Sequence, residues 1–518
     1  MTPTAIGQLL PLFLAVPIVL GALSTVLRSL AARRLLLVGT PLLSFLGAAG
    51  LLVAHQEHGT IAHAIGNYAD GIAIPFASDS FSALIILTAS GVVFCASWFA
   101  IAAGEDEARF FPALALMLLG GVNAALLTAD LFNFFVAMEV MLLPSYGLIA
   151  MSGTWSRLSG SRVFVIVNLF ASTTLLAGVV LVYATAGTVN MAALAHAARG
   201  NGPVTVAMGI VMLALAVKAG MVPLHTWLPR TYAGTSATVM TLFSAIHTKV
   251  AFVLMFRLSV LIFGLDPRWT WLVIVLMSIS IIVGSIGGMA GRTIREVLAY
   301  QMVTGMPHIL IVLAFATSGG DFARAALAAG VLYAVHHMVT MGSLLLTSGA
   351  IEETYGSGNL HSVSGIMHRD PWVAAVFAAG AFSLVGLPPM SGLWGKVGIM
   401  IAAAEPADMR SWVVITVIVI GSFFSLLAMI RVWREVFWGR PMQKVNPGLR
   451  IHPALSAPGA LLVLVSFGMF LLAGPVSDAA ADAAEALINV DGYVAAVFDN
   501  PDAAIAVPEP QPETGGAS

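Results

Sequence analysis

Apolar runs of twenty or more residues recur almost without pause along this chain, and no other feature limits its fold so strongly. About 20 mostly apolar residues suffice for a helix to cross the hydrocarbon core of a bilayer. Inside that core each backbone N–H and C=O must be satisfied within the structure, which favours helices. Of 518 residues, 59% are hydrophobic and 9% charged, against about 25% charged in a soluble domain. The chain therefore reads as an all-α polytopic membrane protein whose partner along most of its surface is the lipid bilayer. The net charge of −2 offers no basic footprint for nucleic acid. The single cysteine, Cys95, excludes an internal disulfide and a multi-cysteine metal site, and its apolar surroundings mark it as a packing residue. The run Ala5–Leu27 lacks a basic region before it and reads as a first span rather than a signal peptide.

Fourteen spans are expected, with two of them, 203–228 and 371–403, interrupted by Gly and Pro. Residues 55–78 are too polar to cross, and Gly59, Gly66, Asn67 and Gly71 point to a hairpin outside the membrane. Residues 478–498 read as a weakly amphipathic helix or surface segment, and the tail from Pro501 as disordered. Lys and Arg decide the orientation, because short cytoplasmic loops carry the excess. Of 23, 15 fall in loops after odd-numbered spans, 4 in loops after even-numbered spans, and 4 inside spans. Odd loops are therefore expected in the cytoplasm and both termini outside.

The two interrupted spans look alike. One reads Ala216-Val-Lys-Ala-Gly-Met-Val-Pro-Leu-His225; the other reads Val385-Gly-Leu-Pro-Pro-Met-Ser-Gly-Leu-Trp-Gly-Lys396. Each carries a lysine beside residues that break a helix. They lie five spans apart, and an odd offset inverts one unit relative to the other. Inverted repeats with broken helices at matching places mark the transport path of many transporters. The chain divides accordingly into 1–107 with the first three spans, 108–264 and 265–440 as two inverted five-span units, and 441–518 with the last span and tail.

The charges inside spans are the most informative residues. The chain has four lysines, and three of them, Lys218, Lys249 and Lys396, lie in spans. Glu139 is the one acid deep within a span, and Asp130 begins the same span. A charge at the bilayer centre costs about 2.5–3.5 kcal/mol on insertion scales, so four of them unpaired and dry would cost on the order of 10 kcal/mol. Such residues face the protein interior and mark ion or proton paths. Lys218 sits just before the Gly220–Pro223 break, where freed carbonyls and water gather. Arg257 lies nearer a span end and reads as snorkelling to the interface. His225, His247, His336 and His337 also lie in or beside spans. Histidine hands protons on near neutral pH, and His247 and His336 fall between the buried charges. His225 is placed to satisfy backbone groups at the first break. His336 and His337 point about 100° apart on a helix and cannot line one path equally. No other ligand-type side chain shares helical spacing with these histidines, so no metal is expected.

Together, Glu139, Lys218 before Pro223-Leu-His-Thr-Trp-Leu-Pro229, Lys249, and Lys396 after Gly386-Leu-Pro-Pro389 resemble the antiporter-like subunits of respiratory complex I and the Mrp multisubunit cation/proton antiporters. The resemblance covers about residues 70–440. Asp130-Leu-Phe-Asn-Phe-Phe-Val-Ala-Met-Glu139, Ser145-Tyr146 and His247-Thr-Lys-Val250 are most similar to the D-type family of Mrp subunits. A lysine at 396 departs from the M-type family of complex I. The short C-terminus departs from the L-type family of complex I and the A-type family of Mrp. The resemblance implies a component of a hetero-oligomeric Na⁺/H⁺ antiporter in the bacterial inner membrane, with other Mrp subunits, especially those of A-type and C-type, as partners. It implies no cofactor in this chain and no enzyme activity. A proton-pumping component of complex I or of a membrane-bound hydrogenase is the alternative. It further implies that Glu139 and Lys218 form an ion pair whose making and breaking shifts the lysine's proton affinity. Lys249 with His247 would pass protons along the midplane, and Lys396 would be the terminal site. The family usually has a further lysine five residues after a histidine, where this chain has Met341 after His336. That step passes through His336, His337 or water, or is absent.

Overall fold

The computed structural model describes residues 2–66, 73–151, 155–317, 319–440, 442, 446 and 448–498. Asn67 and Gly71 of the expected hairpin, and the tail from Pro501, lie outside the described residues. Eleven helices among the described residues are long and apolar enough to cross a membrane, and four shorter apolar helices accompany them. Their burial is graded. The helices Ala237–Leu261 and Gly320–Tyr355 are buried throughout their apolar windows, and Ile294–Ala316 over 94% of its window. Pro3–Val26 is buried over only 22%, and Val19, Leu23 and Val26 stand exposed. These three helices lie in the interior together with Phe111–Leu127 and most of Ser80–Ala103, and outer helices such as Pro3–Val26, Leu30–His58 and Met409–Phe437 present an apolar surface suited to lipid.

Local chemistry sets the helix ends. Asp79 and Ser82 form a reciprocal capping box at the start of Ser80–Ala103, and Gly104 ends that helix with φ +76°. The loop before it is an antiparallel pair, Ile61–Ile65 with Ile74–Ser78, in which Ile61 faces Ser78. Leu30–His58 runs a full turn into the segment expected to be all hairpin.

Both Gly/Pro interruptions end a helix. Gly202–Lys218 stops just before Gly220, whose φ is +71°, and a six-residue helix, Trp227–Tyr232, follows. Pro371–Val385 stops at Gly386, with φ +95°, and Gly392–Ala404 resumes. At Gly220 an added Cβ would lie 2.7 Å from Leu228, and at Gly386 one would lie 2.9 Å from Lys396 Cδ. Positive φ and close approach together explain glycine at both places.

The C-terminal stretch is more deeply seated than a surface segment. Ala473–Ile488 buries Ala480, Ala483, Ala484 and Leu487 against the helices Gly320–Tyr355 and Ser80–Ala103. Small alanines at i, i+3 and i+4, with Leu487 at i+7, let it lie close, a stripe that low overall hydropathy conceals.

Candidate functional site

Lys218 is the last residue of its helix and is 1% exposed. The break leaves backbone groups without helical partners, and side chains take them up. Trp227 Nε1 donates to the Val217 carbonyl at 3.1 Å, and Ser280 Oγ accepts from the Val222 N–H at 3.1 Å. The Lys218 ammonium donates to Ser172 Oγ at 3.1 Å. Glu139 lies mid-helix in Leu131–Ala150 and is half-buried, with Oε1 buried and without a hydrogen-bond partner among the described residues. No ion pair within 4.0 Å joins it to Lys218, although its charge acts on that lysine through space. The expected pair is therefore open in this conformation: the lysine has turned to a neutral hydroxyl on the Gly160–Ala186 helix.

Lys249 follows a π-turn, Phe243–His247, in the fully buried helix Ala237–Leu261. Such bulges often occur at functional sites. Its ammonium meets Thr248 Oγ1 at 3.3 Å and Met306 Sδ at 3.5 Å. The His247 ring stands 5.5 Å from the rings of Phe164 and Phe243, and neither ring nitrogen has a partner among the described residues. His337 lies against Gly305, where an added Cβ would overlap its imidazole. Gly305 adjoins Met306, so His337 lies next to the Lys249 contact. Tyr333 bridges onward, 6.2 Å from His337, 5.4 Å from His336 and 5.3 Å from His308 by ring centroids. His336 Nδ1 meets Ser391 Oγ at 2.9 Å. Met341 is fully buried and offers no charge to the path. Lys396 donates to the Val385 carbonyl at 2.7 Å and to Ser422 Oγ at 2.9 Å, so the carbonyl freed by the second break is satisfied by the lysine itself. His225 sits in the first break, half-buried, and interacts with the Pro223 backbone.

Arg257 overturns its sequence reading. It does not snorkel: its guanidinium is buried against Asp79 Oδ2 at 2.6 Å and lies 4.8 Å from the ring of Tyr493. Asp79 caps the neighbouring helix, and Tyr493 comes from the helix Val490–Val497. Burial alone would raise the Asp79 carboxyl, but the Arg257 charge and the Ser82 N–H hold it below its ordinary value. The residues that sequence reasoning missed are mostly hydroxyls: Ser172, Thr340, Ser383, Ser391, Ser422 and Ser466. Serines and threonines occur throughout these spans and often bond their own helix, so none stands out in the sequence.

Residues 128–425 match the family model of the NADH:quinone oxidoreductase/Mrp antiporter transmembrane protein. The chain is 30% identical to the D subunit of the Na⁺/H⁺ antiporter of Alkalihalophilus pseudofirmus, over 86% of this chain and 90% of that one. It is 30% identical to the corresponding D subunit of Bacillus subtilis, over 94% and 99%. Among solved structures, a chain of the Mrp complex from Dietzia sp. DQ12-45-1b superposes with a TM-score of 0.90 and 35% identity, covering 95% of this chain and 99% of that one. A chain of respiratory complex I from Thermus thermophilus shares the fold, with a TM-score of 0.76 at 23% identity, over 93% and 99%. The chain belongs to the NADH:quinone oxidoreductase/Mrp antiporter membrane family, within its Mrp D-type branch.

Proposed function

We propose that this antiporter-family chain carries protons through a series of buried charges at the membrane midplane, within a hetero-oligomeric complex that exchanges them for Na⁺. One observation carries the reading. Three of the four lysines are sealed inside the molecule, and among the described residues their ammonium groups bond only to neutral partners: Ser172; Thr248 and Met306; the Val385 carbonyl and Ser422. A lysine retained for structure alone would be matched by a carboxylate, since an unpaired buried charge is costly. A buried lysine held by hydroxyls and carbonyls can give up its proton without stranding an acid.

In this reading Glu139 and Lys218 are the input. The Glu139 charge acts on Lys218 across a gap, and closing that gap would hold the proton on the lysine. His247, which is within electrostatic reach of Lys218, leads to Lys249. His337, Tyr333 and His336 lead on toward Lys396, the terminal site. Three segments built on shorter helices would bring the spans to fourteen, with both termini outside the inner membrane. The shared Gly-x-x-Pro spacing at Gly220–Pro223 and Gly386–Pro389 supports two inverted units, 108–264 and 265–440. Glu139 shares an outward face with exposed Phe132, Val136 and Leu143. A half-exposed glutamate is ill suited to lipid, which supports a neighbouring A-type or C-type protein of the complex covering it.

The test uses the intact complex in everted membrane vesicles. Lys218→Ala and Glu139→Ala should abolish the collapse of the pH gradient on Na⁺ addition while the complex still assembles. Full transport by both would overturn the path. Acidification on NADH addition without Na⁺ would favour the redox-complex reading.

A further inference from the structure

Beside His336, and reaching Thr340 one residue before Met341 in the chain, the structure holds a closed ring of hydroxyls. Thr340, Ser383, Ser391 and Ser466 come from four different segments, and each is at most 2% exposed. Ser391 Oγ lies 2.8 Å from Ser466 Oγ, which lies 2.8 Å from Ser383 Oγ, which lies 2.8 Å from Thr340 Oγ1. The ring closes on one imidazole atom: His336 Nδ1 is 2.9 Å from Ser391 and 3.2 Å from Thr340. Gly392 makes room for it, because an added Cβ there would overlap the Ser383 carbonyl. His336 Nε2 is buried and has no partner among the described residues.

We propose that this ring is a positioning device that keeps a proton on His336 Nδ1 in both the neutral and the charged form and leaves Nε2 as the atom that takes up and releases the proton. The inference rests on the proton-path reading above. Hydroxyls both donate and accept. With a proton on Nδ1, the bonds run from Nδ1 to Ser391, Ser466, Ser383 and Thr340 in turn. Nδ1 keeps that proton whether Nε2 is bare, in the neutral imidazole, or protonated, in the imidazolium. No heavy atom moves, and no N–H or O–H bond of the ring breaks. One N–H bond forms at Nε2 when a proton arrives and breaks when it leaves. A carboxylate at this place would lock in the charged form; the neutral hydroxyl chain accepts the Nδ1 proton in both forms and holds the imidazolium only somewhat more firmly, through a charge-assisted bond. A sodium site is disfavoured by the same distances. The oxygens bond to one another and leave no gap between them, and among the described residues no carboxylate bonds to the ring.

The test is the pH profile of Na⁺-driven proton movement by the intact complex in everted vesicles. Thr340→Val keeps the shape and removes a hydroxyl, and Ser466→Ala removes one from a different helix. Each deprives the imidazolium of an acceptor chain, so each profile should move toward acid by about half to one pH unit. Thr340→Ser should return the profile toward that of the parent, and Thr340→Val should add nothing in a His336→Gln background. An assembled Thr340→Val or Ser466→Ala complex with the parental profile overturns the inference. So does a change confined to the half-saturating Na⁺ concentration, which would mark a cation site. Loss of transport in Lys218→Ala beside an unmoved Thr340→Val profile would sink the ring alone, whereas full transport in Lys218→Ala would sink the path itself.

Discussion

A buried lysine bonded only to neutral groups is sensitive to each of them. Removing the hydroxyl that holds Lys218, by Ser172→Ala, deletes one charge-assisted bond worth about 1.5–3 kcal/mol. Transport should fall about tenfold or more, short of the complete loss expected for Lys218→Ala, as initial rates in vesicles would tell. Asp79 behaves differently because its partner is charged. Asp79→Asn leaves Arg257 buried and unmatched, which should destabilise the fold by about 3–5 kcal/mol, visible as a lower unfolding temperature of the purified complex. The sign with pH follows from the lowered carboxyl. Its contribution is complete above the ordinary value of 3.8 and drains away as the pH falls below it, so acid should weaken the parent and leave Asp79→Asn less affected. The lysines were legible in the sequence because a charge in an apolar run is conspicuous. The hydroxyls around them were not, since nothing in one sequence separates a serine that bonds its own helix from one that meets a lysine. Arg257 was misread for a related reason: position near a span end suits snorkelling, and only the fold brings Asp79 and Tyr493 to it.

The elements that matter most are the two interrupted helices. Gly220 and Gly386 adopt φ +71° and +95°, a region that costs an L-residue about 1–2 kcal/mol. At Gly386 the added methyl would also press on the Lys396 side chain, 2.9 Å away at Cδ. Gly386→Ala should therefore displace the terminal lysine and cut transport severely. Gly39→Ala, in an outer helix where an added Cβ meets nothing within 4 Å, should be neutral in the same assay. Equal transport by the two variants would show that the second break does not position Lys396. These interruptions could be read directly, because Gly and Pro act through the local backbone. The open Glu139–Lys218 pair could not, because whether two side chains on neighbouring helices touch depends on helix rotation and on Ser172 competing for the ammonium.

At the scale of the molecule, burial falls from the central helices to the outer ones, and one outer face breaks the rule that charge stays inside. Along Leu131–Ala150, Phe132 is 48% exposed, Val136 40% and Leu143 64%, and half-buried Glu139 lies among them. Lipid would solvate the three apolar residues and leave the carboxylate stranded; a protein neighbour accommodates all four. Cys95 is 2% exposed and the only cysteine, so an introduced cysteine reports its own position. Leu143→Cys should form a cross-link to another membrane protein of the intact complex when treated with a short bifunctional maleimide. Leu35→Cys, at a position 72% exposed on the outer helix Leu30–His58, reports how a second outward face behaves under the same reagent. If Leu143→Cys instead reacts freely with a lipid-soluble thiol reagent and yields no cross-linked band, the Glu139 face looks onto lipid. Glu139 would then have to reach its partner within this chain alone.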